Sequence, residues 1–369
     1  MTTHEFLRLA ADTHVGRQAA DGSFPPGHNG IYLDPETPVR NTAHVLTLLS
    51  NLLQRSAPSV EWEAAAQRAL AYLLSHRTAQ PGRTYECRVA PGKDRCNGVV
   101  GQAFVIEALA AAGSALGSDP ARRRATELFF THPWVPDAGL WRRVDPDGEI
   151  LSFDMTFNHQ LWFAAASSQL TWVPEAHERA RTFLDKVARR IWLYRNGIIQ
   201  HATPMGSISP TLGVDRRTVV AAMRARMSAI RSRRSLYSKS VGYQPFNLYG
   251  FALLKRSFPD DDLWSTERFG KMLQVASDSE ILRQQATNDY SQCRELGGIK
   301  MAFVYETFTS DSDLVARTAS TQIRRSFAIT GRVVSPRSSA DPNTVLARLY
   351  ELSRLTHDYG IRAPVAPTT

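Results

Sequence analysis

Five times along this chain a polar or glycine-marked loop opens into a helix with a polar first turn and an almost wholly apolar shaft. The five starts are Asn41-Thr-Ala-His44-Val-Leu-Thr-Leu-Leu, Asn97-Gly-Val-Val-Gly-Gln102-Ala-Phe, Asp154-Met-Thr-Phe-Asn158-His159-Gln-Leu-Trp162, Gly242-Tyr-Gln-Pro-Phe-Asn247-Leu-Tyr249 and Gly298-Ile-Lys-Met-Ala-Phe-Val-Tyr305-Glu306. They recur roughly 55–60 residues apart, with one gap of about 90, and such a period signals repeated supersecondary units stacked around a common core. Helices of this kind suit an inner ring whose open ends line a shared cavity.

Helical periodicity dominates, and few alternating strand runs are present. It predicts helices over 3–19, 38–55, 61–77, 97–116, 119–131, 155–171, 174–195, 216–236, 243–257, 265–285, 295–308, 312–328 and 342–358. Asp119-Pro120 places a capping Asp before an N1 proline, and Val173-Pro174 and Asp341-Pro342 resemble it. Without the basic segment 216–236, twelve helices remain, which make six hairpins. Segments such as 61–77 and 174–195 are amphipathic, as outer helices must be. Segments such as Val99–Ala112 and Leu161–Ala166 are apolar nearly all round, as helices covered on both sides must be. The expected fold is therefore an all-α (α/α)6 barrel over residues 1–360, with a basic insertion at 213–240 and a disordered tail at 361–369. An irregular bundle or open solenoid is the alternative. Two long loops, Asp21–Asp34 and His132–Gly148, are rich in Gly, Pro and aromatic residues, and Asp145-Pro-Asp-Gly148 signals a turn that closes a small hairpin.

The chain has 369 residues, 43% of them hydrophobic, enough to bury a large core. No uninterrupted apolar run of about 18 residues exists, so no membrane-spanning helix is expected. The opening residues Met1-Thr-Thr-His-Glu-Phe-Leu-Arg lack the pattern of a secretory leader. The three cysteines, Cys87, Cys96 and Cys293, fit a reduced compartment, and no pair has zinc-ligand spacing. The expected location is the cytoplasm, peripheral at the inner membrane face if the basic segment docks there. No metal or organic cofactor is implied.

The densest polar constellation is Asp154, Asn158, His159 and Trp162. Asp154, Asn158 and Trp162 are spaced four apart and share a helix face. An amide bonds sugar hydroxyls, an indole stacks on a pyranose face, and a carboxylate moves a proton. Asp154 serves equally well as a helix cap, and His159 as an ordinary helix histidine. Glu306 lies beside Tyr305 in an apolar run, where burial costs several kcal/mol unless the carboxyl is paired or wet. It is a candidate general acid, with pairing to a buried Arg as its structural alternative. Asp34, Arg40, Asn41 and His44 cluster at the first unit, where Arg40 can pair a carboxylate of the substrate or of Asp34. Asn97, Gln102, Tyr243, Asn247 and His201 add hydrogen-bonding capacity. Trp141 is the leading sugar-stacking candidate, with Trp134, Tyr32 and Tyr249 behind it. Cys96 precedes a helix start, where a dipole lowers a thiol pKa, but no His/Asn partner arrangement accompanies it.

The long gap holds Asp215 to Lys239, with eight basic residues and one acid. Val219, Met223, Met227 and Ile230 fall on one side. A basic amphipathic helix at 216–239 suits an anionic membrane surface or a lipid-linked sugar, and a solvated rim helix is the structural alternative. No nucleic-acid motif accompanies the charge.

The segments Cys96–Leu109, Gly139-Leu-Trp-Arg-Arg-Val-Asp145 and Phe153–Ala166 resemble the AglQ-type proteins of archaeal N-glycosylation clusters and related bacterial polysaccharide loci. The wider class is similar to the six-hairpin glycosidases. The resemblance spans about residues 20–310. It implies an (α/α)6 barrel that processes glycans or lipid-linked sugars, and only Asp154, Asn158 and His159 carry over with motif support.

The leading expectation is a glycoside hydrolase with Asp154 and Glu306 as its carboxylate pair, about 6.5–9.5 Å apart for inversion, and Asp34 as substitute. The second is an epimerase of a hexuronic acid or N-acylhexosamine, with His159, His44, His201 or Tyr305 exchanging the proton and Arg40 binding a uronate. The third is a non-catalytic glycan-binding scaffold at a membrane.

Overall fold

The computed structural model describes residues 1–55, 59–75, 80, 82–204, 233–290, 292–337 and 339–362. Outer and inner helices alternate along it. The order is α1 (Thr3–Val15) outside, α2 (Val39–Arg55) inside, α3 (Val60–Leu74) outside, α4 (Gly98–Ala115) inside and α5 (Asp119–Thr131) outside. Then come α6 (Phe157–Ser167) inside, α7 (Pro174–Lys186) outside, α8 (Arg233–Ser257) inside, and α9 (Glu267–Val275) with α10 (Ser279–Thr287) outside. Finally α11 (Gln292–Phe308) lies inside, α12 (Ser312–Ser326) outside, and α13 (Pro342–Ala347) continues inside as a 3-10 helix, Arg348–Arg354. Each inner element packs on the next, and Arg348–Arg354 packs back on α2, so the ring closes. The barrel is an (α/α)6 toroid.

Burial explains the division. The α4 helix buries every residue from Gly98 to Ala110, because it is sandwiched between the axis and the outer ring. Its neighbour α3 buries Trp62, Ala65, Ala66, Ala69, Leu70 and Leu73 and leaves Glu61 and Glu63 outside. By length and composition α4 could cross a membrane, yet most of it is enclosed by the barrel.

Several expectations change. The segment 265–285 is two short helices, split where Asp278 caps the second. The helix expected at 243–257 starts at Arg233, so residues 233–240 of the supposed insertion are inner-ring structure. The rest of the basic segment, 216–232, lies outside the described residues, as does the tail from 363. Ser118, not Asp119, caps α5, accepting from Ala121 N. The turn at Asp145–Gly148 does close a hairpin, β2 (Leu140–Val144) with β3 (Ile150–Phe153), and β1 (Trp134–Val135) lies beside β2. A second hairpin, β4 (Phe327–Thr330) and β5 (Val333–Pro336), turns at Gly331 where a helix end was expected.

The inner ring carries buried charge. Glu351, fully buried, takes Lys300 Nζ at 3.0 Å and Arg348 Nη2 at 2.7 Å, and Glu107 of α4 pairs with Arg354. These pairs tie α4 and α11 to the closing 3-10 helix. Removing one member strands a buried charge, so Glu351→Ala is expected to cost about 3–5 kcal/mol in urea unfolding. A loss below about 1 kcal/mol would mean the network does not hold the ring.

Candidate functional site

The N-terminal halves of all six inner elements open into one cleft. Its smaller chamber, about 210 Å³, includes Arg40 and His44 from α2, Val100 and Phe104 from α4, Asn158 and His159 from α6, Lys239, Tyr243 and Phe246 from α8, and Arg348. A larger chamber of about 560 Å³ adds Leu296 and Lys300 from α11 and Thr344 and Val345 from α13. Tyr32 and Tyr243 border both chambers.

Asp154 leaves the end of β3 just before α6. Its Oδ2 accepts from Val99 N at 3.2 Å, in the first turn of α4, and from His159 Nδ1 at 2.7 Å. Its Oδ1 accepts from Thr156 N at 3.1 Å. Burial pushes this carboxyl up, but His159, Arg143 and Thr156 outweigh it and hold the pKa at about 2. An ionised carboxylate only accepts, so Nδ1 carries a proton, and Nε2 is the ring nitrogen that the carboxylate leaves open. Gly98 makes this contact feasible. It sits at φ +62°, and a Cβ there would collide with Asp154 Oδ2 and His159 Nδ1.

His201 reaches the same cavity from an extended segment. Ala202 bridges to Thr156, and Phe157 N donates to His201 O at 2.9 Å, which sets it beside the start of α6. Its ring lies 5.0 Å from that of Tyr243. Burial, then Lys239 and His159, hold its pKa well below the usual value, and its buried Nδ1 has no partner among the described residues. His44 stacks on Tyr350 at 4.5 Å and meets Phe104 edge-on, and burial with Arg40 keeps it neutral. Asn158 is 1% exposed, yet neither its Nδ2 nor its Oδ1 has a partner among the described residues. A buried polar group left so implies a ligand or ordered water.

Five cations line the smaller chamber against one carboxylate, Asp34. Lys93 stands 3.6 Å from Asp34. Arg40, expected to take a substrate carboxylate, is already committed: its Nη2 lies 2.6 Å from Glu36 and donates to Thr344 at 2.9 Å. Arg348 is paired to Glu351. Among the described residues, Arg88 and Lys239 have no carboxylate within ion-pair distance.

Asp34, Arg40, His44, Asn97, Asn158, His159, His201 and Tyr243 thus meet around the cavity, together with Asp154 at its wall. The other candidates do not join them. Glu306 lies about 9 Å further along α11 than Lys300, at 1.5 Å per residue. There it accepts from Thr356 N and His357 N, takes Arg256 Nη2 at 2.7 Å and the Tyr359 hydroxyl at 3.0 Å. Although burial opposes it, these donors pull its pKa down, the reverse of what a general acid needs. Tyr305 is half-buried against the core and lines neither chamber. Trp141 is fully buried against Trp134, Phe163 and Phe183, and cannot stack on a sugar. Trp162 stacks on Phe246 and Tyr249 and donates to Phe246 O. Asn41 ties Pro25 to α2, and Gln102 grips the Tyr85 backbone from both sides. Asn247 is buried in α8, away from both chambers. Cys96 is buried and bonded to Asp94, so its pKa is raised and not lowered.

The sequence reading missed Arg88, Lys93, Phe246 and Arg348. Among the described residues no cluster of three or more His, Cys, Asp or Glu side chains is placed to hold a metal.

The Asp154 pKa has a stability signature. Its folded value lies below the unfolded one, so the stabilisation exists above about pH 4 and disappears as pH falls through about 2, a span worth about 2 kcal/mol. Asp154→Asn is expected to unfold more easily than the parent near neutral pH, with the gap closing in acid. A gap that stays constant from neutral pH into acid would contradict the ionised assignment.

No protein-family model matches the chain. Among solved structures, a sugar epimerase from a ruminal bacterium superposes with a TM-score of 0.61 at 11% identity, covering 95% of this chain and 97% of its own. Cellobiose 2-epimerase from Bacillus thermoamylovorans gives 0.61 at 10% identity, covering 95% and 98%. The GH76 α-mannanase of Bacteroides thetaiotaomicron gives 0.57 at 10% identity, covering 95% and 95%. At these identities the likeness is one of fold. The sequence relative is much nearer: archaeal glycosylation protein Q of Haloferax volcanii is 38% identical over 366 residues, 97% of this chain and 98% of that protein. The chain therefore belongs to the archaeal glycosylation protein Q family, on a barrel shared with sugar epimerases and mannanases.

Proposed function

We propose that the protein is a sugar epimerase or isomerase that moves a proton next to a sugar carbonyl, with His159 and His201 as the exchanging groups. The observation that carries this reading is the pairing of His159 Nδ1 with an ionised Asp154, at 2.7 Å, in a cavity that a second, neutral histidine also lines. Asp154 fixes the tautomer and stabilises the imidazolium that forms when Nε2 takes a proton, the role a carboxylate plays behind a histidine base. His201, kept neutral by burial and Lys239, is a second basic group. An epimerase needs one group on each face of the carbon, and an isomerase needs one base serving two adjacent carbons. Asn158 offers both a donor and an acceptor for sugar hydroxyls.

Hydrolysis by paired carboxylates has less support. Every hydrogen bond to Asp154 fixes it as a spent acceptor, and Glu306 is occupied at the other end of α11. The family relationship supports a carbohydrate substrate.

The test is solvent exchange. Monosaccharides and cellobiose incubated with the protein in deuterated water are expected to take up deuterium beside the carbonyl, followed by NMR, without release of reducing ends. His159→Asn and His201→Asn should each slow uptake by about 10²–10⁴-fold. Bond cleavage without deuterium uptake, sensitive to Asp34→Asn and indifferent to both histidines, would overturn the assignment in favour of hydrolysis.

A further inference from the structure

The smaller chamber is electrically unbalanced. Arg40 is answered by Glu36, Arg348 by Glu351, and Lys93 by Asp34. Among the described residues, neither Arg88 nor Lys239 has a carboxylate within ion-pair distance, Glu36 acting on Arg88 only from further away, and Arg88 Nε is buried without a hydrogen-bond partner. Lys239 lies over the Tyr32 ring at 6.0 Å and feels Arg88 and Lys93 as repelling neighbours. Holding like charges together in a half-buried wall is unfavourable unless a ligand resolves it. The first turns of the inner helices face the same space, and their positive ends add to the field. Beside these cations, Asn158 presents an unmatched buried amide.

We propose that Arg88 and Lys239, assisted by Lys93, form an anion subsite, so that the sugar processed here carries a phosphate or a carboxylate. This rests on the carbohydrate reading above for the statement that the anion is attached to a sugar. Arg88 supplies a planar fork for two anion oxygens, and Lys239 a point charge that neutralises them. Two unanswered cations match a dianion such as a phosphate monoester, and one of them suffices for a uronate. Arg40 is unsuited to the task, since Glu36 and Thr344 already hold its guanidinium.

The experiment is calorimetric titration of the full chain at neutral pH and low ionic strength with glucose, glucuronate, glucose 1-phosphate and inorganic phosphate. The same probes are run on Arg88→Gln, Lys239→Gln and the double variant. At least one anionic sugar is expected to bind about tenfold or more tighter than glucose, and the double variant to lose that preference, since charge-assisted pairs carry it. Which of the two charged sugars gains more distinguishes the phosphate from the carboxylate source. The ligand-free double variant is expected to melt no lower than the parent at low salt, because it removes repulsion; this separates lost binding from lost folding. Equal affinity for charged and neutral sugars, binding of none of the anions, or undiminished preference in the double variant would each overturn the proposal. So would inorganic phosphate binding that gains nothing from an attached sugar. His159→Asn is expected to keep anion binding while losing proton exchange, so the subsite and the proposed reaction can fail separately.

Discussion

The carboxylate of Asp154 is the contact on which the rest of the site depends. It caps the buried first turn of α4 through Val99 N, sets the entry to α6 through Thr156 N, and orients His159. Two inner helices and a candidate base thus share one anion. The β2–β3 hairpin exists in this architecture to deliver it, and Arg143, on the same hairpin, stabilises its charge while gripping Asp94 at 2.7 Å. An amide at 154, with one acceptor oxygen instead of two, could not meet the three donors in this arrangement. Gly98 completes the arrangement by having no side chain at all.

Around this anchor the barrel separates two electrostatic tasks. One set of charges is buried and paired: Glu107 with Arg354, and Glu351 with Lys300 and Arg348, the last two reaching the wall of the cavity. Such pairs fix the register of inner elements more than they stabilise the fold. In the cavity itself the balance is left open, with an excess of cations, neutral histidines and an unmatched amide. The fold alone does not choose between reactions, since the same barrel carries sugar epimerases and mannanases. In this chain the cavity holds a carboxylate behind a histidine.

The ring was legible because inner helices have to be apolar all round, and Val99–Ala112 and Leu161–Ala166 advertise that in sequence. The convergence of the polar first turns was legible for the same reason, and His44, Asn97, Asn158, His159 and Tyr243 do line the cleft. The errors also have physical causes. Glu306 stands in an apolar run, but such a run has two ends, and the sequence does not say which one opens to the cavity. Trp141 and Trp162 carry the amphipathic rings a sugar would use, yet each is enclosed by other aromatics. Arg88 and Lys93 lie in a loop without a motif, and Arg348 comes from the distant closing segment, so no local pattern linked them to the site. The β4–β5 hairpin was hidden because α12 runs straight into it at Ser326 and Phe327.

The closing segment has a further consequence. Arg40 bonds Thr344, Arg348 lines the cavity, and Tyr350 supports His44, so one wall of the cleft comes from the last inner element. Nearby, Thr3 donates to Asp358 and Thr2 bridges to Gly360, stitching the first outer helix to the segment that follows that element. The seam of the toroid therefore runs through the cavity. The histidine and carboxylate pair is local to residues 154–159, whereas the wall that completes the cavity comes from residues 342–354, packed against α2 from the far end of the chain, so a cut in that last segment would open the cleft and leave the pair in place.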